Sequence, residues 1–236
     1  MIKPRTRERP SASIRTIKRI ASQFSEQPVG QLPLVPPTEL GDANMLVVGK
    51  ARQPASGRYQ LTREIYPGVF TPDRVSPVEE IVLRNWVAIV GYIVPDAVLT
   101  FRSALELQPT DGVLYVTGDA TRRKVKLPGL VVEVFPGDGP LLEPILADSQ
   151  LRGLYFPSEA RGLLVNLSSR RGWSKWQLPP EAIEAHLTAR FEEGGAPKLT
   201  ALREKARHIA GKLYLPKEFG RLDSLVDTVL ARVKPS

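Results

Sequence analysis

Apolar positions recur along the chain with two periods, and those periods locate its elements. In 11–24, Ile14, Ile17, Ile20, Ala21 and Phe24 fall at helical spacing behind Ser11 and Ser13, which predicts a capped helix with Arg15, Lys18, Arg19 and Gln23 on its other faces. Pro4 and Pro10 keep residues 1–10 extended, and Pro28, Pro33, Pro36 and Pro37 make 27–41 a linker or irregular loop. A strand is predicted at 45–51, and two short strands at 58–72 around a turn at Pro67-Gly68. From about Pro77 to residue 94 a helix follows, with Val78, Ile81, Val82, Trp86, Ile89 and Val90 as its apolar face.

The next segments shift towards strands. Residues 95–107 open extended and continue as a helix, 113–118 read as a strand, and 122–129 turn into a further strand at 130–137. A helix at 157–168 starts at Pro157 and Ser158 and leads into a basic, aromatic loop at 169–176. Three helices, 178–195, 199–215 and 216–233, complete the chain, the first with Pro180 and Glu181 near its start and glycines past its end. The pattern divides the chain into a basic arm and helix at 1–26, a linker and hairpin at 27–74, and a larger body at 75–236. That body is expected to be an α+β or α/β domain with a small mixed sheet from 97–100, 113–117, 123–126 and 130–135, flanked by helices and ending in a helical subdomain.

Composition narrows the chemistry. The 236 residues carry 33 Lys or Arg against 25 Asp or Glu, a net +8. Seven of those bases lie in the first 20 residues (Lys3, Arg5, Arg7, Arg9, Arg15, Lys18, Arg19) against Glu8 alone. The high pI therefore reports an N-terminal arm, either a solubilising tail or a segment that tracks phosphates on nucleic acid. Cysteine is absent, which excludes disulfides, thiolate metal sites and Cys nucleophiles, and fits a cytoplasmic protein. The two histidines, His186 and His208, read as structural or surface residues, so no metal and no cofactor is expected. The longest apolar run, at 86–94, is too short to span a bilayer, so no membrane partner is expected.

Nucleotide-binding and hydrolase motifs are missing: there is no P-loop, no GxSxG elbow, no HExxH and no GxGxxG after a strand. FPGDGP at 135–140 reads as a turn. Asp111, Asp119, Glu133 and Asp138 lie near strand ends and with Lys124 or Lys126 form the pattern a magnesium nuclease would need, although such carboxylates are usually solvated turn residues. Two basic clusters stand out. Arg122, Arg123, Lys124 and Lys126 crowd a hairpin, and Arg170, Arg171, Trp173, Lys175 and Trp176 interleave cations with aromatics. Such clusters suit phosphate contacts and protein–protein hot spots equally, while the tryptophans also suit simple packing of the loop onto the core.

Several stretches resemble, in order, the AbiEi family of antitoxins and transcriptional regulators. REIYPGVFT at 63–71 is similar to the hairpin that forms the wing of that family's winged helix. PDAVLTFRSALEL at 95–107, LYVTG, TRRKVKLPGLVVEV, SEARGLLVNL and the terminal LREKARHIAGKLYLPKEFGRLDSLVDTVL follow in the family's sequence, covering roughly 57–230. Similar modules precede Fic domains, whose signature motif this chain lacks. The resemblance implies a winged-helix-like N-terminal region, here degenerate because one helix rather than three precedes the wing, followed by the α/β body. It implies a non-enzymatic antitoxin of a phage-defence system that binds double-stranded DNA at inverted repeats in its own promoter and neutralises a cognate toxin such as a nucleotidyltransferase. Arg5, Arg7, Arg9, Arg15, Lys18, Arg19, Arg58 and Arg63 are then the candidate DNA contacts, and the two basic clusters of the body the candidate toxin contacts. An interaction module that regulates a toxin, nuclease or Fic enzyme without specific DNA binding is the alternative, and a nuclease the third reading.

Overall fold

The computed structural model describes residues 32–33, 47–48, 59–60, 63–71, 73, 75–118, 121–170 and 172–232. The predicted helix at 11–24 and the candidates Arg5, Arg7, Arg9, Arg15, Lys18, Arg19, Arg58, Asp119 and Arg171 lie outside those residues. The chain forms two compact units, Met1–Ile89 and Val90–Ser236.

In the first unit, β1 (Leu32–Pro33) pairs antiparallel with β3 (Tyr59–Gln60). A second, three-stranded antiparallel sheet has the order β2 (Val47–Val48), β5 (Val69–Thr71), β4 (Arg63–Tyr66). The β4–β5 hairpin turns at Pro67-Gly68 as the sequence predicts, with a register shift between Glu64 and Tyr66. The Glu64 carboxylate accepts the Gly68 N–H at 2.9 Å and closes the turn. Asp73 then stops the chain before the first helix: its carboxylate accepts the Val75 and Ser76 N–H groups at 3.0 and 2.9 Å and pairs with Arg84. Those backbone and Ser76 hydrogen bonds hold the Asp73 carboxyl well below the usual carboxylate range.

The helix predicted over 77–94 is two helices, α1 (Val78–Arg84) and α2 (Trp86–Ile93). Asn85 separates them. Its side-chain amide donates to the Ile81 carbonyl at 2.9 Å, and its backbone N–H is shared between the Ile81 and Val82 carbonyls. A short polar side chain that competes for backbone acceptors is the usual reason for such a break.

The second unit is built on a six-stranded mixed sheet of order β10-β11-β6-β7-β9-β8. Its members are β6 (Ala97–Leu99), β7 (Val113–Gly118), β8 (Arg123–Leu127), β9 (Leu130–Pro136), β10 (Ser149–Leu151) and β11 (Leu154–Phe156). β6, β7, β9 and β8, consecutive at one side of the sheet, coincide closely with the expected strands. β10 and β11 are additions: they form a hairpin, and β11 joins the sheet parallel to β6. Gly91 on α2 lets this hairpin approach, because a Cβ there would collide with the Arg152 carbonyl oxygen.

Helices α3 (Ser103–Glu106), α4 (Glu159–Asn166), α5 (Pro180–Lys212) and α6 (Pro216–Arg232) complete the unit. α5 spans the two helices expected at 178–195 and 199–215, and Gly195, with φ 65° and ψ −164°, interrupts its helical backbone between them. One apolar cluster joins the helices: Leu163 and Leu164 of α4, Ile183, Leu187, Leu199 and Ile209 of α5, and Leu222, Val226 and Val229 of α6. Each such side chain contributes about 1.5–3 kcal/mol when buried. A buried ion pair sits at the start of α4, where Arg161 meets Asp148 and also donates to the carbonyls of Asp138 and Gly139, tying down the 137–148 loop.

Candidate binding face

The sheet register decides which hairpin cations act together. Tyr115 pairs with Glu133, and Thr117 with Phe135, across β7 and β9; Lys124 pairs with Glu133, and Lys126 with Val131, across β8 and β9. Paired residues point to one side of a sheet, so Tyr115, Glu133, Phe135, Lys124 and Lys126 share a face. Arg123, paired with Val134, belongs to the other face, and its guanidinium reaches the Ile93 carbonyl at 3.4 Å. The sequence groups Arg123 with its neighbours; the pleat removes it from them.

The basic loop folds over this face. Phe101, in the turn between β6 and α3, is the hub of a buried aromatic cluster with Tyr115, Phe135 and Trp176, and Trp173 packs against it. Its ring meets Phe135 edge-on at 4.9 Å and Trp173 edge-on at 5.0 Å, and lies tilted against Trp176 at 5.6 Å. Two amides hold the loop in place. The Asn166 side chain donates to the Phe101 carbonyl at 2.6 Å and accepts the Leu178 N–H at 2.9 Å. The Gln177 side chain donates to the Ser168 carbonyl at 2.9 Å, and the Arg102 N–H bonds the Trp176 carbonyl at 3.0 Å. Trp176 is therefore largely core and Trp173 half-buried.

Cations roof the rings. The Arg122 guanidinium lies 4.6 Å from the Trp176 ring centre and 5.1 Å from that of Phe135. Lys175 lies 4.7 Å from Trp176, and Arg170 4.7 Å from Trp173. Arg122 comes from the hairpin and Trp176 from the loop, so this contact merges the two clusters into one surface. Stacking leaves a guanidinium's N–H edge free for a carboxylate or phosphate. Arg170, Lys126 and Lys175 have no ion-pair partner among the described residues. Glu133 is the acid beneath the roof: it is buried, pairs with Lys124 at 2.7 Å and touches Arg122 at 3.5 Å. Burial, together with the Glu133 charge, raises the Tyr115 hydroxyl above its ordinary range, so it stays neutral beneath the roof.

The remaining candidates fall elsewhere. Arg63 lies in β4, and Asp111 pairs with Arg102 at 3.6 Å. Asp138 is exposed on the loop after β9. Among the described residues no group of three or more His, Asp or Glu is placed to hold a metal. His186 bonds Glu159 at 2.7 Å, and His208 bonds the Glu204 carbonyl within its own helix. No helix among the described residues is long and apolar enough to cross a membrane. Sequence reading missed Phe101, Tyr115 and Phe135, which hold the face together; their aromatic identity was visible, but their convergence depends on register and on the Asn166 bridge.

The chain's second unit is thus a mixed α/β domain with a cation–aromatic face at one region of its sheet. No protein-family model, curated protein or solved structure matches the chain.

Proposed function

We propose that this is an antitoxin-type regulator of a toxin–antitoxin system, with an α/β body that neutralises a toxin by contact and a basic N-terminal arm that engages DNA. The observation that carries the contact half is the merger of hairpin and loop into one cationic surface through Arg122 on Trp176. Arg, Trp and Tyr dominate binding hot spots, and a positive patch steers an acidic partner. The DNA half rests on the charge of residues 1–20 and on the resemblance of 63–71 to a wing. The protein acts in the cytoplasm, without a cofactor and without catalysing a reaction.

Two experiments test the two halves. Co-expression with the protein encoded by the adjacent gene should protect cells from its toxicity, and Arg122→Glu with Arg170→Glu should abolish protection while the protein stays folded. Titration on the gene's own upstream duplex and on a scrambled duplex, at two salt concentrations, tests the arm. Preference for the upstream duplex supports an autoregulator. Equal, salt-sensitive binding reduces the arm to a phosphate tether and leaves an interaction module without specific DNA readout.

A further inference from the structure

Beside the roofed rings lies a cleft of about 180 Å³, walled by Phe101, Phe135 and Trp173 and bordered by Thr100, Asp138 and Arg170. A single water needs roughly 10–15 Å³ of such space, so the cleft has room for a ring. Its polar groups are specific. Thr100 is 3% exposed, and its hydroxyl makes no hydrogen bond among the described residues. Thr100 lines the cleft, and its hydroxyl is not among the sealed polar atoms, Ser158 Oγ and Arg203 Nε. At the mouth, Arg170 stacks on Trp173 with its N–H edge unpaired among the described residues. The Asp138 carboxylate at the rim makes no hydrogen bond among the described residues either; only that residue's carbonyl is used, by Arg161 and Thr117.

Each wall selects for part of a ligand. Aromatic side chains favour a flat ring. A plain hydrocarbon ring would leave the Thr100 hydroxyl unsatisfied, which is costly for a buried group, whereas a heterocycle offers it an acceptor or donor. Asp138 accepts from an amino group on a ring edge. The Arg170 fork matches a phosphate. We propose that this cleft binds an amino-bearing nucleobase with its phosphate at Arg170, supplied as a free nucleoside monophosphate or as the phosphorylated end of a strand. The site shares Arg170 with the proposed toxin surface, but binding at it requires neither a toxin nor the N-terminal arm, so it is tested apart from the antitoxin reading.

The test is a titration of the full chain alone, followed by tryptophan emission, with AMP, UMP, adenosine and phenyl phosphate. AMP should saturate with a Kd of about 1 mM or tighter. UMP and adenosine, each lacking one recognised group, should bind roughly tenfold more weakly, and phenyl phosphate, which lacks both the heterocycle and the amino group, more weakly still. Thr100→Val should weaken AMP about tenfold and, by removing the hydroxyl that a hydrocarbon ring leaves unsatisfied, strengthen phenyl phosphate, while Thr100→Ser, which keeps the hydroxyl, restores AMP. A 5′-phosphorylated trinucleotide that binds more tightly than AMP assigns the cleft to a strand end; equal affinity assigns it to the free nucleotide. Absence of a saturable response to AMP overturns the proposal. So does phenyl phosphate binding as well as AMP, or AMP binding that is unchanged in Thr100→Val.

Discussion

The helical layer and the sheet face of the second unit use the same two residue types, Arg and Lys, in opposite ways. On the helices, Arg190, Lys198, Arg203, Arg207, Lys212 and Arg232 each meet an acid: Glu159 or Glu193, Glu193, Asp223 or Asp227, Glu204, Glu143 and Glu184. Even Arg207, which lies 5.3 Å from the Phe219 ring centre, keeps Glu204. On the face, Arg122, Arg170 and Lys175 sit on aromatic rings, and Glu133 is the one acid engaged by this roof among the described residues. Exposed pairs add only about 0–1 kcal/mol each, so the helical pairs mainly cancel charge. Cations on rings stay charged, positioned and available. Charge counting alone cannot separate these two sets of cations; the partner of each does.

The comparison can be broken most severely at the one sealed pair among the described residues. Arg161 and Asp148 have side chains 4% and 0% exposed. Arg161→Ala strands a buried carboxylate and should cost about 3–5 kcal/mol, read by urea unfolding, without specifically altering the face. Phe101→Leu comes next. It keeps the core apolar but removes the ring that Trp173, Trp176 and Phe135 pack on, and should cost about 1–3 kcal/mol while loosening the loop. Enhanced proteolysis at 169–176 would mark that loosening, and an unchanged digestion pattern would show that the loop does not depend on the hub.

Glu133→Gln sharpens the contrast. Lys124 and Arg122 are about half exposed, so the stability change should be about 1 kcal/mol or less, while the face gains net positive charge and its anion affinity rises at low salt. The smallest effect is a pH dependence in the helical layer. Burial pushes the Glu159 carboxyl up, but hydrogen bonds from His186 and Arg190 outweigh burial and hold it below its ordinary range. A carboxyl lowered in the folded state stabilises above its unfolded pKa and loses that contribution as pH falls through the folded one. Thermal unfolding from roughly pH 5 to pH 3 should therefore fall more steeply in the native chain than in Glu159→Gln.

Much of the fold was legible because its segments carry strong periods. VLYVTG, RKVKL and LVVEVFP alternate or run β-branched and are strands; α6 shows a clean apolar stripe. The β10–β11 hairpin was not legible, because Ser149–Leu151 is exposed at every position and has no inward-facing residue to give a period. The break at Asn85 was hidden by an apolar pattern that runs through it. Both basic clusters could be read from the sequence. Their union could not, since it depends on Asn166 bridging Phe101 and Leu178, and on a pleat that turns Lys124 towards Phe135 and Arg123 away.

The central claim is that the roofed rings, and not the cation-rich helices, form the working surface. The most direct measurement is the affinity of the native chain for the protein encoded by the adjacent gene, set against three charge reversals: Arg122→Glu on the hairpin, Arg170→Glu on the loop, and Lys217→Glu on α6. The account predicts a loss of about tenfold or more, near 1.4 kcal/mol, for each of the first two and little change for the third. A loss for Lys217→Glu equal to theirs, or unchanged binding by both face variants, would contradict it.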